Sequence, residues 1–299
     1  MKKKNRVLIT GATGFVGTNL QNYLNSCFVV NPVSVRYSPN QHFDSKGDAI
    51  IHLAGKAHDL KKVSNPTDYY EANFELTKQL FDAFLASEAS VFIFMSTVKA
   101  VADSVEGVLT ENVKPNPITV YGKSKLAAEE YILSRKNLKD KRVYILRPCM
   151  IHGPSNKGNL NLLYSFVSKG IPYPFGKYLN RRSFVSVDNL CFIIKELIDN
   201  TKIESGIYNI ADDTSLSTID LVQVISEVLN KPTRILKFPK LFVHFMAKVG
   251  DFLPIPINSE RLLKLTENYE VSNFKIKNAI QKTLPLSSIE GIRKTIASF

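Results

Sequence analysis

Through the first half of the chain, short apolar runs alternate with stretches of helical periodicity, the pattern of a parallel sheet covered by helices. The run Val7-Leu8-Ile9-Thr10 reads as a buried strand. A glycine-rich turn follows, and Phe15, Asn19, Leu20, Tyr23 and Leu24 then recur at helical spacing. Residues 28–35 give a second strand of mostly β-branched residues, residues 49–53 a third and residues 91–95 a fourth. Between the last two, the periodicity predicts a long helix over 67–87 with Tyr70, Phe74, Thr77, Phe81 and Phe84 on one face. Pro115 and Pro117 fence a loop before a helix over 121–135, and a strand over 143–146 ends at Arg147-Pro148.

Beyond Pro148 the pattern changes to helices separated by longer loops rich in Gly and Pro, which places a lobe boundary near residue 150. The expected fold class is α/β, a doubly wound parallel Rossmann sheet with a smaller C-terminal substrate-binding lobe. Residues 1–150 form the dinucleotide-binding part, rejoined by about 183–210, and residues 151–299 form mainly the second lobe. A helix over 240–253 carries a broad apolar face of Leu241, Phe242, Phe245, Met246, Val249 and Phe252. That face either packs on the second lobe or touches a membrane surface.

Composition narrows the classes. With 299 residues, 44% of them apolar, the chain can bury a sizeable core and is not disordered. Cys27, Cys149 and Cys191 are too few and too scattered for a disulfide framework or a zinc site, which fits a reducing, cytoplasmic setting. Neither His42, His52, His58, His152 and His244 nor Cys149-x-x-His152 shows metal-ligand spacing, so no metal is expected. The basic residues at 2–6 precede an apolar run broken by Thr10-Gly11, so no secretion signal is read there, and no run is long enough to span a bilayer. The net charge of +12 is shared evenly between the halves, without a basic tail or interleaved aromatics. Nucleic acid is therefore not an expected partner, and the charge suits either anionic small molecules or plain solubility.

Four constellations carry chemistry. Thr10-Gly11-Ala12-Thr13-Gly14-Phe15-Val16-Gly17 sits where a strand ends and a helix begins, with glycines spaced three apart. Such a turn lets backbone approach a pyrophosphate, and the helix N-terminus offers free N–H groups to it. After the second strand comes Arg36, where NAD-binding folds usually place an acidic residue for the ribose hydroxyls. Arg suits a 2′-phosphate, so NADP(H) is expected over NAD(H); the alternative is that Arg36 merely caps the sheet edge in solvent. Tyr121 and Lys125 stand one turn apart on one helix face. An ammonium about 6 Å from a phenol, at an effective dielectric of about 20, favours phenolate by roughly 3 kcal/mol, so the Tyr121 pKa is expected to fall. Ser96-Thr97 closes the strand over 91–95, at the sheet edge where open α/β folds place their sites.

These motifs, together with His52-Leu53-Ala54-Gly55, Arg147-Pro148 and Arg182-Ser183-Phe184-Val185-Ser186-Val187-Asp188, resemble in order and spacing the extended short-chain dehydrogenase/reductase family, in its nucleotide-sugar epimerase/dehydratase branch. The resemblance runs over nearly the whole chain. It implies that Tyr121 is the acid/base, that Lys125 holds the cofactor ribose and tunes Tyr121, and that Thr97 is the hydroxyl partner. It further implies that Gly11, Thr13, Gly14, Phe15, Val16 and Gly17 line the pyrophosphate, with Leu53, Ala54, Gly55, Asn73 and Pro148 beside the cofactor. Ser96, Asn159 and Arg182 are the implied substrate contacts along with Tyr121.

Two departures from the family pattern matter. Residues 37–47 are too few for the helix and additional strand usual there, which leaves Asp44 as a stand-in acidic contact or a simple loop residue. At the strand end, Thr97-Val98-Lys99 lacks the Asp-Glu pair of 4,6-dehydratases, so that reaction is excluded. What remains is hydride transfer at sugar C4. The expected reaction is NADPH-dependent reduction of a UDP-linked 4-keto-6-deoxy-N-acetylhexosamine for surface polysaccharides; the alternatives are a 4-epimerase with tightly held NAD and a non-catalytic NADP sensor. The resemblance also implies a homodimer through the helices over 67–87 and 121–135.

Overall fold

A computed structural model describes all residues except 1–4, 40, 42, 44–45, 58–64, 136–137, 139, 157 and 254–257. Its centre is a parallel six-stranded sheet in the order β2-β1-β3-β4-β6-β9. The strands are β1 Arg6–Thr10, β2 Val29–Val33, β3 Ala49–His52, β4 Val91–Met95, β6 Arg142–Pro148 and β9 Gly206–Ile210. Two-stranded pairs join β5 Val108–Leu109 to β10 Glu270–Val271, and β7 Met150–His152 to β8 Phe184–Ser186. The four central strands are nearly continuous runs of buried Val, Ile, Leu and Phe, because helices cover both faces. The α/β fold class expected from the alternating pattern is the one observed.

The crossovers are α1 Phe15–Leu24, the helical segment α2 Pro66–Tyr70 and α3 Leu76–Ala86, α4 Val120–Ser134 and α6 Val187–Asp199. Between α2 and α3 the backbone widens into one π-helical turn, Glu71–Glu75. That turn breaks the 3.6-residue register, which is why Tyr70 lies 38% exposed while Thr77, Phe81 and Phe84 are fully buried, rather than all sharing one face as the periodicity predicts. The β2 strand is shorter than expected and forms one edge of the sheet, with no strand described beyond it. Pro32 is tolerated there because an edge strand need not donate from every position.

The remaining helices are α5 Asn159–Ser168, α7 Thr218–Val228, α8 Lys240–Phe252, α9 Ser259–Thr266, α10 Phe274–Ile280 and α11 Ser288–Ile296. Leu160, Val167, Phe175, Val222, Ile225 and Ile292 belong to an apolar cluster built from α5, α7, α8, α9 and α11. The sheet has its own clusters on its two faces, one of them including Val185, Leu190, Ile194 and Ile210 from β8, α6 and β9. Among the described residues, no helix is long and apolar enough to cross a membrane, and no cluster of His, Cys, Asp and Glu has metal-binding geometry.

Candidate active site

The parallel register brings the C-terminal ends of β1, β3, β4 and β6 to one edge of the sheet, and the chemistry collects there. At the end of β1, Gly11 adopts φ +68°, and a Cβ at this position would stand 2.6 Å from the Ala54 nitrogen. A Cβ at Gly17 would stand 2.3 Å from the Gly11 carbonyl oxygen. The turn therefore presses against both the β3 loop and its own helix, an approach only glycine permits. Gly14 caps α1 without a side-chain hydrogen bond, and the first turn carries no acidic residue. The Gly14 amide donates to the Gly11 carbonyl at 3.1 Å, and with Thr13 and Gly14 exposed and Phe15 and Val16 half-buried the positive helix end faces outward. This cradle fits a dinucleotide diphosphate.

Beside it, Leu53, Ala54 and Gly55 form an open loop. The Ala54 amide donates to the Thr10 hydroxyl at 3.2 Å. His52 is fully buried, with Nδ1 2.7 Å from Thr10 Oγ1 and Nε2 2.9 Å from Thr77 Oγ1. Burial and then the Lys125 charge push its pKa down to about 3, so it stays neutral and acts as a polar rivet between sheet and helix. Asn73 sits in the π turn, accepts from the Lys56 amide at 2.8 Å and donates to the Lys56 carbonyl and the Ser124 hydroxyl, each at 3.0 Å. Both of its amide protons are thus spent, and it braces the β3 loop against α4 instead of offering a free group to a cofactor. A π turn at a site of this kind is a common way of turning one side chain inward.

Helix α4 begins where Thr119 accepts from the Gly122 amide. A Cβ on Gly122 would lie 2.3 Å from the Lys99 carbonyl oxygen, so glycine lets α4 close onto the loop after β4. Tyr121 is thereby brought to Thr97, and their hydroxyls share a hydrogen bond. Burial pushes the Tyr121 pKa up to about 12, with the Thr97 bond pulling the other way and the nearby Tyr69 adding to the rise. The expected depression by Lys125 is therefore corrected: the Lys125 ammonium donates to the Met95 carbonyl at 2.8 Å and lies 4.7 Å from the centre of the Phe94 ring, and it does not contribute to the Tyr121 shift. Burial lowers Lys125 itself to about 8, opposed by the charge of Glu129.

Ser96 also differs from expectation. It is buried, and its hydroxyl donates inward to Glu129 instead of facing a substrate. Glu129 follows Tyr121 and Lys125 at the next four-residue step of α4 and is completely buried. Arg147, at the end of β6, meets it through Nε at 3.0 and 3.1 Å and through a further close contact from the second guanidinium nitrogen. This ion pair locks the ends of β4 and β6 to α4. The repeat of the four-residue spacing and the Arg147-Pro148 step were visible signals of it; their pairing was not.

On the far side of Thr97, Lys99 donates to the Asp103 carbonyl at 2.7 Å and lies 4.3 Å from the centre of the Tyr269 ring. Burial lowers its pKa, and the Arg182 charge adds to the lowering against Glu267 and Asp103. Arg182 is half-buried and within electrostatic reach of Lys99, Cys149 and Tyr269, whereas the neighbouring Arg181 is exposed and bonded to Ser215. The structure thus pairs the expected Arg182 with a lysine that sequence spacing singles out only as a departure from the dehydratase pattern. Pro148 is the last residue of β6 and is buried beside Ile210. Arg36 lies exposed three residues beyond β2, whose end pairs with Thr10 at the start of the glycine turn. Asn159 opens α5, but its side chain lies outside the described residues, as do Asp44 and His58.

Taken together, the edge offers a diphosphate cradle, a tyrosine and threonine hydroxyl in mutual contact, and two cations beyond them. Comparison with known proteins agrees with that chemistry. A UDP-glucose 4-epimerase of Vibrio cholerae is 30% identical over 327 residues, covering 100% of this chain and 96% of that protein. An N-acetyl-alpha-D-glucosaminyl-diphospho-ditrans,octacis-undecaprenol 4-epimerase of Escherichia coli O157:H7 is 29% identical over 91% of this chain and 84% of its own. The fold is shared with RMD from Pseudomonas aeruginosa complexed with NADPH, at a TM-score of 0.71 and 20% identity, covering 98% of each chain. The model of the NAD dependent epimerase/dehydratase family matches residues 7–211. Because that match takes in most of the chain and the Vibrio relative aligns end to end, the protein belongs to this family and is an NAD(P)-dependent nucleotide-sugar enzyme of the epimerase/reductase type.

Proposed function

We propose that the chain reduces a UDP-linked 4-keto-6-deoxy-N-acetylhexosamine at C4 with NADPH, as a step in making a surface polysaccharide. The observation that carries this reading is the Tyr121 hydroxyl, hydrogen-bonded to Thr97 and raised to about 12 by burial. Such a phenol is protonated at neutral pH, so it carries a proton that it can give to an oxygen arriving beside it. When bound, the nicotinamide supplies a hydride to C4. The carbonyl π pair moves to the oxygen, Tyr121 gives that oxygen its proton, and Thr97 holds the oxygen by a hydrogen bond. The phenolate left on Tyr121 regains a proton from solvent, so ketone, hydride and one proton become a secondary alcohol. Arg36, exposed beyond the end of β2, supports NADP(H) through its match to a 2′-phosphate. Lys99 and Arg182 supply positive charge for the sugar-nucleotide diphosphate, with residues 151–299 forming most of the wall around the sugar.

A 4-epimerase is the second reading, favoured by the names of the Vibrio and Escherichia relatives. In that reaction the Tyr121–Thr97 pair works in both directions on the C4 oxygen. The two are separated by following NADPH absorbance on adding the UDP-4-keto-sugar. Stoichiometric loss supports the reductase; bound NAD that survives purification, with interconversion of C4 epimers and no net redox change, replaces it with the epimerase.

A further inference from the structure

We propose that the outward face of α8 is a docking surface for an anionic lipid bilayer. This helix is apolar on two sides. Val243, Ala247 and Gly250 are buried against the apolar cluster of α5, α7, α9 and α11. A second stripe, left open by the described residues, carries Leu241 at 87% exposure, Phe245 at 63%, Phe252 at 90% and Phe242 at 48%. At 3.6 residues per turn these four side chains fall within an arc of about 100°. Phe238, just before the helix, extends the patch, its ring 5.6 Å from that of Phe242. A single exposed apolar residue is ordinary, whereas five large ones in one continuous patch mark an interaction surface.

The charges beside the patch select the occupant. Lys237, Lys240 and Lys248 are all exposed; Lys248 borders the stripe, whereas Lys240 stands further round the helix with its ammonium 5.4 Å from the centre of the Tyr178 ring. The helix carries a single carboxylate, Asp251, and this already accepts from the amide and hydroxyl of Ser259. A second copy docked through a two-fold axis would set lysine border against lysine border, with the one carboxylate of each helix already engaged by Ser259. A bilayer of anionic lipids meets both features: phenylalanine and leucine enter the acyl boundary, and the lysines remain at the phosphate level. The helix is 13 residues long and lies on the protein, so it rests in the interface and does not cross it. The proposal is independent of which C4 reaction the active site performs, since none of these residues belongs to that site.

The experiment uses the full chain in a flotation assay with phosphatidylcholine vesicles that contain or lack phosphatidylglycerol. The protein is expected to float with the phosphatidylglycerol vesicles, to release as salt is raised, and to ignore pure phosphatidylcholine. The variant Leu241→Asp with Phe245→Asp should lose at least tenfold in vesicle affinity while its melting curve and its turnover of a soluble nucleotide-sugar stay unchanged, because both side chains face outward. Lys237→Glu with Lys248→Glu should weaken binding by about 25-fold or more, at about fivefold for each lysine charge lost. Failure to float at low salt, or floating unaffected by Leu241→Asp with Phe245→Asp, overturns the proposal. So does a concentration-dependent dimer that this variant dissociates, which would make a second copy the occupant.

Discussion

Replacing Arg147 by Met leaves Glu129 buried, hydrogen-bonded to the Ser96 hydroxyl and within electrostatic reach of Lys125, and the size of the resulting loss can be worked from the structure. The two side chains are 3% and 0% exposed, and the pair is held by Nε at 3.0 and 3.1 Å with a further guanidinium contact. Breaking one side of such a pair costs about 3–5 kcal/mol, because the remaining charge has no water to return to. At about 2.1 cal/mol/K per residue, a chain of 299 residues unfolds with an entropy of about 0.6 kcal/mol/K, so Arg147→Met should lower Tm by about 5–8 °C. Replacing both partners, Arg147→Met with Glu129→Leu, removes both charges and should recover most of that loss. The assay is a double-mutant cycle read by urea unfolding and by thermal melting. A loss below about 1 kcal/mol for Arg147→Met, or a double variant whose loss is the sum of the two single losses, would refute the view that this pair ties β4 and β6 to α4.

Two further outcomes follow from the site. Gly17→Ala puts a methyl group 2.3 Å from the Gly11 carbonyl oxygen and 2.6 Å from the Ala12 Cα, so the turn must open. Titration with NADPH should show affinity weakened at least tenfold, about 1.4 kcal/mol, with the Tyr121–Thr97 end untouched. Lys125 is lowered from 10.5 to about 8, so it is charged at neutral pH and loses its charge as pH rises through about 8. If that charge holds the cofactor ribose, kcat/KM falls above pH about 8; Glu129→Gln removes the charge that supports Lys125, and the alkaline limb moves to lower pH. An alkaline limb that stays in place in this variant would contradict the role assigned to Glu129.

The elements most legible in the sequence were those whose period and punctuation agree. Val7 to Thr10 followed by the glycine turn could only be a strand entering a helix, and Gly11 and Gly17 press against neighbouring backbone as that reading requires. The Tyr121–Lys125 spacing placed both residues on one face of α4, but one-dimensional spacing carries no information on what lies across from that face. Lys125 turns to the Met95 carbonyl, and its charge acts on His52 and not on Tyr121. Ser96 and Thr97 follow directly on the end of β4, with Thr97 still in extended backbone, so the alternation of the strand carries on and their side chains point to opposite sides. That alternation sends Ser96 inward to Glu129 and leaves Thr97 for Tyr121, a distinction that was available from the sequence once the strand end was known. The π turn at Glu71–Glu75 was not legible, because a helix interrupted by one wide turn has the same composition as a regular one. Nor was the meeting of Lys99 with Arg182, which lie 83 positions apart in the chain and are joined only by the packing of the segment around Tyr269 on the loop after β4.

The proposed reaction sends hydride to sugar C4 while Tyr121 delivers the proton to the oxygen beside it. Its most direct test is turnover of the UDP-4-keto-6-deoxy-N-acetylhexosamine with NADPH deuterated at the transferable position, analysed by NMR of the product, for the protein and for Tyr121→Phe. Deuterium at C4 of the product, with turnover abolished and NADPH affinity nearly unchanged in Tyr121→Phe, is the expected result. Product without deuterium at C4, or wild-type turnover in Tyr121→Phe, would contradict it.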